Sequence, residues 1–277
     1  MKDHVLYLDL YNALHRARGG FQLGNGPILF QFMRSLRATI EQLKPSRMIA
    51  VSEGVPMARL AVMPEYKANR TIDPSDTVRI DEMKRFHQQK DICIDILKRR
   101  FPISVVRHPD FEADDLLATL ISRGSTAVPI TVVSTDSDFT QLLCLYDHVR
   151  LYNPVKKMYV ERPDHDYVTW KALRGDVCDN IPGIVSDARA GALLDDPDAL
   201  SEFFDDSNNV QQFEFNHRLI EFEDITEDKL MLMESSSPAR DWDEVRTLFD
   251  SYDFKSITND KSWKKFTDTF DTLWNVE

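Results

Sequence analysis

The first half of the chain alternates short apolar runs with longer stretches of helical periodicity. Val5–Leu8 reads as a strand ending at Asp9. Over residues 28–43, Leu29, Met33, Leu36, Ile40 and Leu43 recur at the three-and-four spacing of one helix face. Met48–Val51 is a second strand, followed by Ser52-Glu53-Gly54. Residues 81–100 are helical again through Met83, Phe86, Ile92, Ile96 and Leu97. Ser104–Val106 is a third strand, FEADDLLATLIS opens a helix, Pro129–Ser134 is a fourth strand, and residues 139–143 begin another helix. Strands alternating with helices predict an α/β fold with a mostly parallel central sheet and helices on both faces.

Beyond about residue 149 the pattern changes. Arg150–Tyr152 and Met158–Val160, separated by NPVKK, predict a hairpin. The remainder reads as helical and acidic, with loop signals at DDSNN and ESSSPAR. The expected organisation is an α/β core over residues 1–150 and a mainly helical C-terminal region over residues 151–277.

Three of the strands end in acid: Asp9, Glu53, and Asp136 with Asp138. Glu112, Asp114 and Asp115 precede Leu116, Leu117 and Leu120, so they occupy the first turn of a helix. The helix dipole favours acids there by about 0.3–1 kcal/mol each, which alone would explain that group. Asp176 and Asp179 share a turn in LRGDVCDNIPGI. In open parallel sheets, functional groups gather beyond the carboxyl ends of the strands. At least eight carboxylates are therefore expected on one rim. Two like charges about 4 Å apart repel by roughly 4 kcal/mol at an effective dielectric near 20. No comparable basic set is interleaved with these motifs, so divalent cations are the expected counter-charge. All-oxygen donors suit Mg²⁺ or Mn²⁺ rather than zinc, and paired ions about 3.5–4 Å apart suit phosphodiester hydrolysis. One D-x-D is often only a solvated loop; five acidic groups at strand ends and turns carry the reading.

Composition narrows the setting. With 277 residues, 42% hydrophobic and 29% charged, the chain suits a globular protein with a substantial core. No apolar run approaches the roughly 20 residues of a membrane span, and the start of the chain lacks signal-peptide architecture. No membrane partner and a cytoplasmic location are expected. Cys93, Cys144 and Cys178 are scattered and odd in number, without a CxxC pair, which argues against zinc and for a reducing compartment. The net charge of −12 at first disfavours a nucleic-acid partner, but residues 1–110 carry +6 and residues 111–277 carry −18. Arg59 to Arg107 carries a local +4. Such a stretch suits phosphate contacts without sequence readout, or else a solvated helix face. For Lys98-Arg99-Arg100, at a helix end, the dipole is sufficient explanation.

On these residues the chain resembles the structure-specific 5′ nucleases, the flap endonucleases and 5′→3′ exonucleases. The matching stretches are LDLYNALHR (8–16), PEYKANR (64–70), EADDLLATL (112–120), VVSTDSDFTQLL (132–143) and GDVCDNIPGI (175–184), in family order across residues 5–184. NHRLIEFEDI (216–225) resembles, more loosely, the C-terminal part of the phage ribonuclease H branch known from the T-even phages. The resemblance implies a PIN-like core, a helical arch over about residues 71–100 and a degenerate helix-hairpin-helix over about residues 175–195. It implies Asp9, Glu53, Glu112 and Asp114 around a first metal and Asp136 near or between two ions. Asp138, Asp176 and Asp179 would surround the second, largely through water, with Asp115 behind the ligands. Arg59, Tyr66, Lys67, Arg70, Lys84 and Arg85 would follow the nucleic acid, with Tyr66 offering a stacking face. Lys67, Lys84 and Asp136 would act in catalysis.

The implied function is a 5′ nuclease with two Mg²⁺ ions, Mn²⁺ substituting. It would cut 5′-flap or nicked duplex DNA or RNA–DNA hybrids and remove replication primers. A monomer is expected, meeting replication proteins that no motif names, in the host cytoplasm for a phage-encoded chain. No Ser/His/Asp arrangement offers a nucleophile, and His15 reads as structural. Two departures from the family stand out. Glu53-Gly54 replaces the usual Asp-Gly, and PGIVSDARAGALLDD lacks the Gly-x-Gly hairpin and Lys-Thr helix start that hold duplex phosphates around potassium. Different duplex binding, without potassium, is expected. The alternative is a catalytically weakened nucleic-acid-binding protein of the same fold, although such a protein would gain nothing from retaining so much charge repulsion. A PIN-type single-strand ribonuclease is a third reading, usually on a much shorter chain.

Overall fold

The computed structural model describes residues 3–19 and 26–274. The alternating half comprises β1 (Val5–Asp9), α1 (Leu10–Arg18), α2 (Pro27–Leu43), β2 (Arg47–Ser52), α3 (Met57–Val62), α4 (Thr77–Arg100), β3 (Ser104–Arg107), α5 (Ala113–Ser122), β4 (Ile130–Val133) and α6 (Thr140–Leu145). It is followed by β5 (Val149–Asn153), β6 (Met158–Tyr159), α7 (Tyr167–Arg174), α8 (Asp187–Leu194), α9 (Pro197–Phe203), α10 (Ser207–Ile220) and α11 (Glu227–Leu230). β7 (Glu234–Ser235), α12 (Trp242–Ser251), α13 (Lys255–Thr258) and α14 (Asp260–Asp271) complete it.

The strands form one seven-stranded sheet in the order β6-β5-β4-β1-β2-β3-β7. The five inner strands are parallel, and both edge strands run antiparallel to their neighbours. β1 and β4 are buried at every position, because helices cover both faces of the sheet. On one face, Leu14, Phe32, Phe86, Leu97, Phe249 and Phe270 share a core. On the other, Leu116, Leu117 and Leu142 pack with Ile225.

Three features go beyond the sequence pattern. β5 forms the expected hairpin with β6 but also pairs parallel with β4, Val133 opposite Tyr152. Residue 150 therefore lies inside a strand of the central sheet. Second, α12 and α14 place Val245, Phe249, Phe266 and Phe270 in the same core as α2 and α4; Phe101 meets Phe270 edge-on at 4.8 Å. Third, only part of the expected arch is free. Phe86, Cys93, Ile96 and Leu97 of α4 are buried, so its second half is a core helix. Residues 71–85 are the exposed portion, apart from the half-buried Ile72, Ile80 and Met83.

Candidate active site

The carboxyl ends of the parallel strands deliver the acids. Asp9 ends β1 and caps α1, accepting from Asn12 N–H at 3.0 Å. Its other oxygen accepts from the Ser134 hydroxyl at 2.8 Å. Ser134 follows β4, and its Oγ accepts in turn from Asp136 N–H at 3.0 Å. Asp138 N–H then donates to Asp136 Oδ1 at 3.0 Å. The D-x-D pair is thus a hydrogen-bonded turn keyed to the end of β1. Asn12 clamps the same loop by exchanging bonds with Thr135 at 2.7 and 3.1 Å.

Glu53 follows β2 and reaches the start of α5, where Ala113 N–H donates to its Oε2 at 3.0 Å. The extra methylene, relative to an aspartate, lets it bridge to that helix end. Gly54 is required beside it: a Cβ there would lie 1.9 Å from His108 O and 2.4 Å from Phe111 O. Burial, with Asp114 and Asp9 close by, pushes the Glu53 carboxyl up to about 8. Burial pushes Asp9 up to about 6. Asp136, although exposed to solvent, rises to about 7 through desolvation within the rim and the neighbouring Asp138. These mutual effects mark one converging set of acids.

Two clusters bring three carboxylates each within 4.8 Å: Glu112, Asp114 and Asp115, and Asp138, Asp176 and Asp179. Asp115 is already engaged. Arg59 grips it through two nitrogens at 2.5 and 2.8 Å, and Glu223 N–H donates to it at 2.8 Å. Glu112 is engaged as well, by Arg59 and Tyr66 at 3.0 Å each and by Lys67, which leaves Asp114 beside Glu53 and Asp9. In the second, Gly175 (φ 74) and Gly183 approach so closely that a Cβ on either would lie within 2.4 Å of the other's strand of the turn. That contact folds Asp176 and Asp179 back toward Asp138.

Lysines neutralise both clusters. Lys67 Nζ contacts Glu112 and lies 3.6 Å from Asp179. Its backbone is left-handed (φ 57), with its N–H on Asp179 O at 3.1 Å. Arg70 contacts Asp179 through a half-exposed side chain. Lys171, only 2% exposed, contacts Asp138 and lies 2.6 Å from Asp176. Burial raises the Asp176 carboxyl, but the hydrogen bond and charge of Lys171 outweigh it and bring it below the usual value.

Two sequence expectations need correction. Arg59 is not on a nucleic-acid surface. It is 3% exposed, and its guanidinium is taken up by Asp115, Glu112 and the carbonyls of Leu219 and Glu221. A guanidinium so enclosed cannot reach a phosphate. Tyr66 cannot stack on a base: its ring is buried, and its hydroxyl lies 3.0 Å from Glu112 Oε2 and 3.4 Å from Asp179 Oδ2. Its single proton serves one carboxylate at a time. Lys84 and Arg85 are exposed on α4, and Lys84 pairs with Asp81 at 3.3 Å. His15 packs on Phe86, centroids 4.5 Å apart, as a structural residue does.

Several residues were not singled out from the sequence. Lys171 is foremost; a lone lysine among Val168, Trp170, Ala172 and Leu173, five residues before Asp176, was the available signal. Others brace the segment 216–225. Asn216 donates to Ala172 O at 2.8 Å and Pro182 O at 2.7 Å, and Gln141 donates to Ile220 O at 3.0 Å. α7 and α8 flank the Gly175–Gly183 turn, and Ser186 caps α8. A helix–turn–helix is therefore present without the Gly-rich signature.

Comparison with known proteins agrees with this architecture. Residues 6–172 match the family model of the 5′-3′ exonuclease, N-terminal resolvase-like domain. The chain is 30% identical over 193 residues to a 5′-3′ exonuclease of Mycobacterium tuberculosis, covering 59% of this chain and 58% of that protein. It is 24% identical over 237 residues to DNA polymerase I of Rhizobium leguminosarum, covering 76% of this chain and 22% of that protein. The chain thus spans only part of both curated relatives. Its fold is similar to that of bacteriophage T5 flap endonuclease in a pseudo-enzyme-product complex with DNA and metal ions. There the TM-score is 0.63 at 16% identity, with 98% of this chain and 100% of that one covered. With the matched model covering more than half of its length, the chain belongs to the 5′-3′ exonuclease family.

Proposed function

We propose that the protein is a divalent-metal-dependent 5′ nuclease that hydrolyses phosphodiesters in branched or nicked DNA and in RNA–DNA hybrids. One observation carries this reading: Asp9, Glu53 and Asp136 are all pushed toward the protonated state on one rim that also holds two three-carboxylate clusters. Among the described residues, no ion pair involves any of these three acids. Protein cations already balance the two clusters, but these three acids are left without one and are costly unless bound cations balance them. The donor set is wholly oxygen, which suits Mg²⁺ or Mn²⁺. Asp9, Glu53, Glu112 and Asp114 would hold one ion, Asp138, Asp176 and Asp179 a second, with Asp136 near both. When bound, divalent ions supply Lewis-acid charge at a scissile phosphate.

The chain's own groups account for the rest. Lys67 and Arg70, exchanging their carboxylate partners for phosphate oxygens, would orient the scissile group. Tyr66 and Arg59 hold Glu112 in place from the buried side. Lys84 and Arg85 on the exposed part of α4 would add phosphate contacts of the sequence-independent kind. The relative of known structure bound to DNA supports a nucleic-acid substrate.

The test is a panel of labelled substrates: a 5′ flap, a nicked duplex, an RNA–DNA hybrid and an unstructured RNA, each with Mg²⁺ or EDTA. The expected result is Mg²⁺-dependent release from the 5′ side of the first three. Preference for the unstructured RNA, or binding without any cleavage, would contradict the proposal.

A further inference from the structure

The segment carrying Lys67 and the turn carrying Asp176 and Asp179 are far apart in sequence, yet two side-chain amides join them, one from each side. Asn69 Nδ2 donates to Val177 O at 2.7 Å, across 108 positions. Asn180 Nδ2 donates to Glu65 O at 2.9 Å, across 115 positions. Between these two bonds in the sequence, Lys67 N–H donates to Asp179 O at 3.1 Å. The pairs Glu65 with Asn180, Lys67 with Asp179 and Asn69 with Val177 form an antiparallel register. Both amide acceptors are main-chain carbonyls, which only accept, so each asparagine is held by its nitrogen. Asn180 has a left-handed backbone (φ 64), which asparagine tolerates better than most residues.

The position of Lys67 depends on these bonds. Met63 and Tyr66 pack with Ala172 and Ile181, which anchors the chain up to residue 66. Residues 71–79 are exposed apart from the half-buried Ile72. Lys67 thus sits where the anchored chain passes into the exposed one. Its ionic contacts with Glu112 and Asp179 are the ones a substrate phosphate would replace. The two amide bonds use neither the ammonium group nor the carboxylates, so they survive that exchange.

We propose that Asn69 and Asn180 are positioning residues for phosphodiester hydrolysis, a role that rests on the nuclease reading. They keep Lys67 in register with the acid-bearing turn when its carboxylate partners give way to phosphate.

Asn180→Gly removes one amide and leaves the left-handed backbone free of strain, and Asn69→Ala removes the other. Both asparagines are exposed, so each variant should melt within about 4 °C of the parent. With Mg²⁺ and a 5′ flap, each should lower the single-turnover rate about tenfold, while flap affinity in EDTA stays within about twofold of the parent's. In a Lys67→Ala background, Asn180→Gly should cost less than about twofold more, because its effect passes through that lysine. Hydrogen exchange of the metal-free protein gives a reading independent of catalysis: the Lys67 amide should exchange faster in Asn180→Gly than in the parent. With a parent that cuts, any of three results would overturn the positioning role alone: parent-like rates in both variants, the full tenfold loss persisting in Lys67→Ala, or unchanged exchange at Lys67. A parent that does not cut with Mg²⁺ would remove the nuclease reading and this role together.

Discussion

The ammonium group of Lys171 lies 2.6 Å from Asp176 and contacts Asp138, joining two carboxylates that come from different parts of the chain. A cation only 2% exposed thus stands where the proposed second ion would act. Replacing it with an apolar side chain leaves two half-buried acids without compensation. Lys171→Met should destabilise the metal-free protein by about 3 kcal/mol, read from urea unfolding in EDTA. Mg²⁺ should then restore more stability to the variant than it adds to the parent. An equal gain in both would show that Lys171 and the ion do not share these acids.

Acid–base linkage gives a second expectation. Asp9, Asp136 and Glu53 sit at about 6, 7 and 8, against ordinary values of 3.8, 3.8 and 4.5. Between about pH 4 and 8 the folded, metal-free chain therefore binds more protons than the unfolded one. Their contribution to stability is full below about pH 4 and is lost as pH rises toward about 8. Mg²⁺ binds the ionised acids, so its stabilisation should grow with pH over the upper part of that window. Thermal melts in EDTA and in Mg²⁺, for the parent and for Glu53→Gln, check this. The variant should show the weaker pH dependence in EDTA.

Arg59 is expected to matter for folding rather than for binding nucleic acid. It ties Asp115 to the carbonyls of Leu219 and Glu221. Arg59→Met should cost about 3–5 kcal/mol, since it strands a buried carboxylate. Limited proteolysis should cleave residues 216–225 more readily. Selective loss of DNA affinity with unchanged stability would return Arg59 to the substrate path.

Lys67 and Lys84 should separate kinetically. Lys67 touches the acids, whereas the Lys84 side chain is 69% exposed and, among the described residues, pairs only with Asp81. Lys67→Ala should lower kcat, and Lys84→Ala should act mainly on KM by a few-fold at most. Single-turnover and steady-state rates on a 5′ flap distinguish the two.

The inner strands and their acidic ends were legible because parallel strands buried on both faces leave only their ends for charge. Asp9, Glu53 and Asp136 announce themselves that way. β7 did not, because two residues carry no periodicity. Arg59 and Tyr66 sat within a basic, polar stretch and read as surface residues. Their burial depends on the return of residues 216–225, more than 150 positions later, to cover them. Lys171 was hidden for the same reason: its partners Asp138 and Asp176 meet it only through the turn at Gly175 and Gly183. The role of α12 and α14 in the main core is likewise a long-range result that local pattern does not reveal.

The most direct test of the central claim is 5′-flap hydrolysis by the parent and by Asp136→Ala across a Mg²⁺ titration, with folding and flap binding measured in parallel. The parent should cut only with the divalent ion. Asp136→Ala should remain folded and bind the flap while losing at least about a thousandfold in rate. Cleavage by the parent in EDTA, or an Asp136→Ala rate equal to the parent's, would contradict the account.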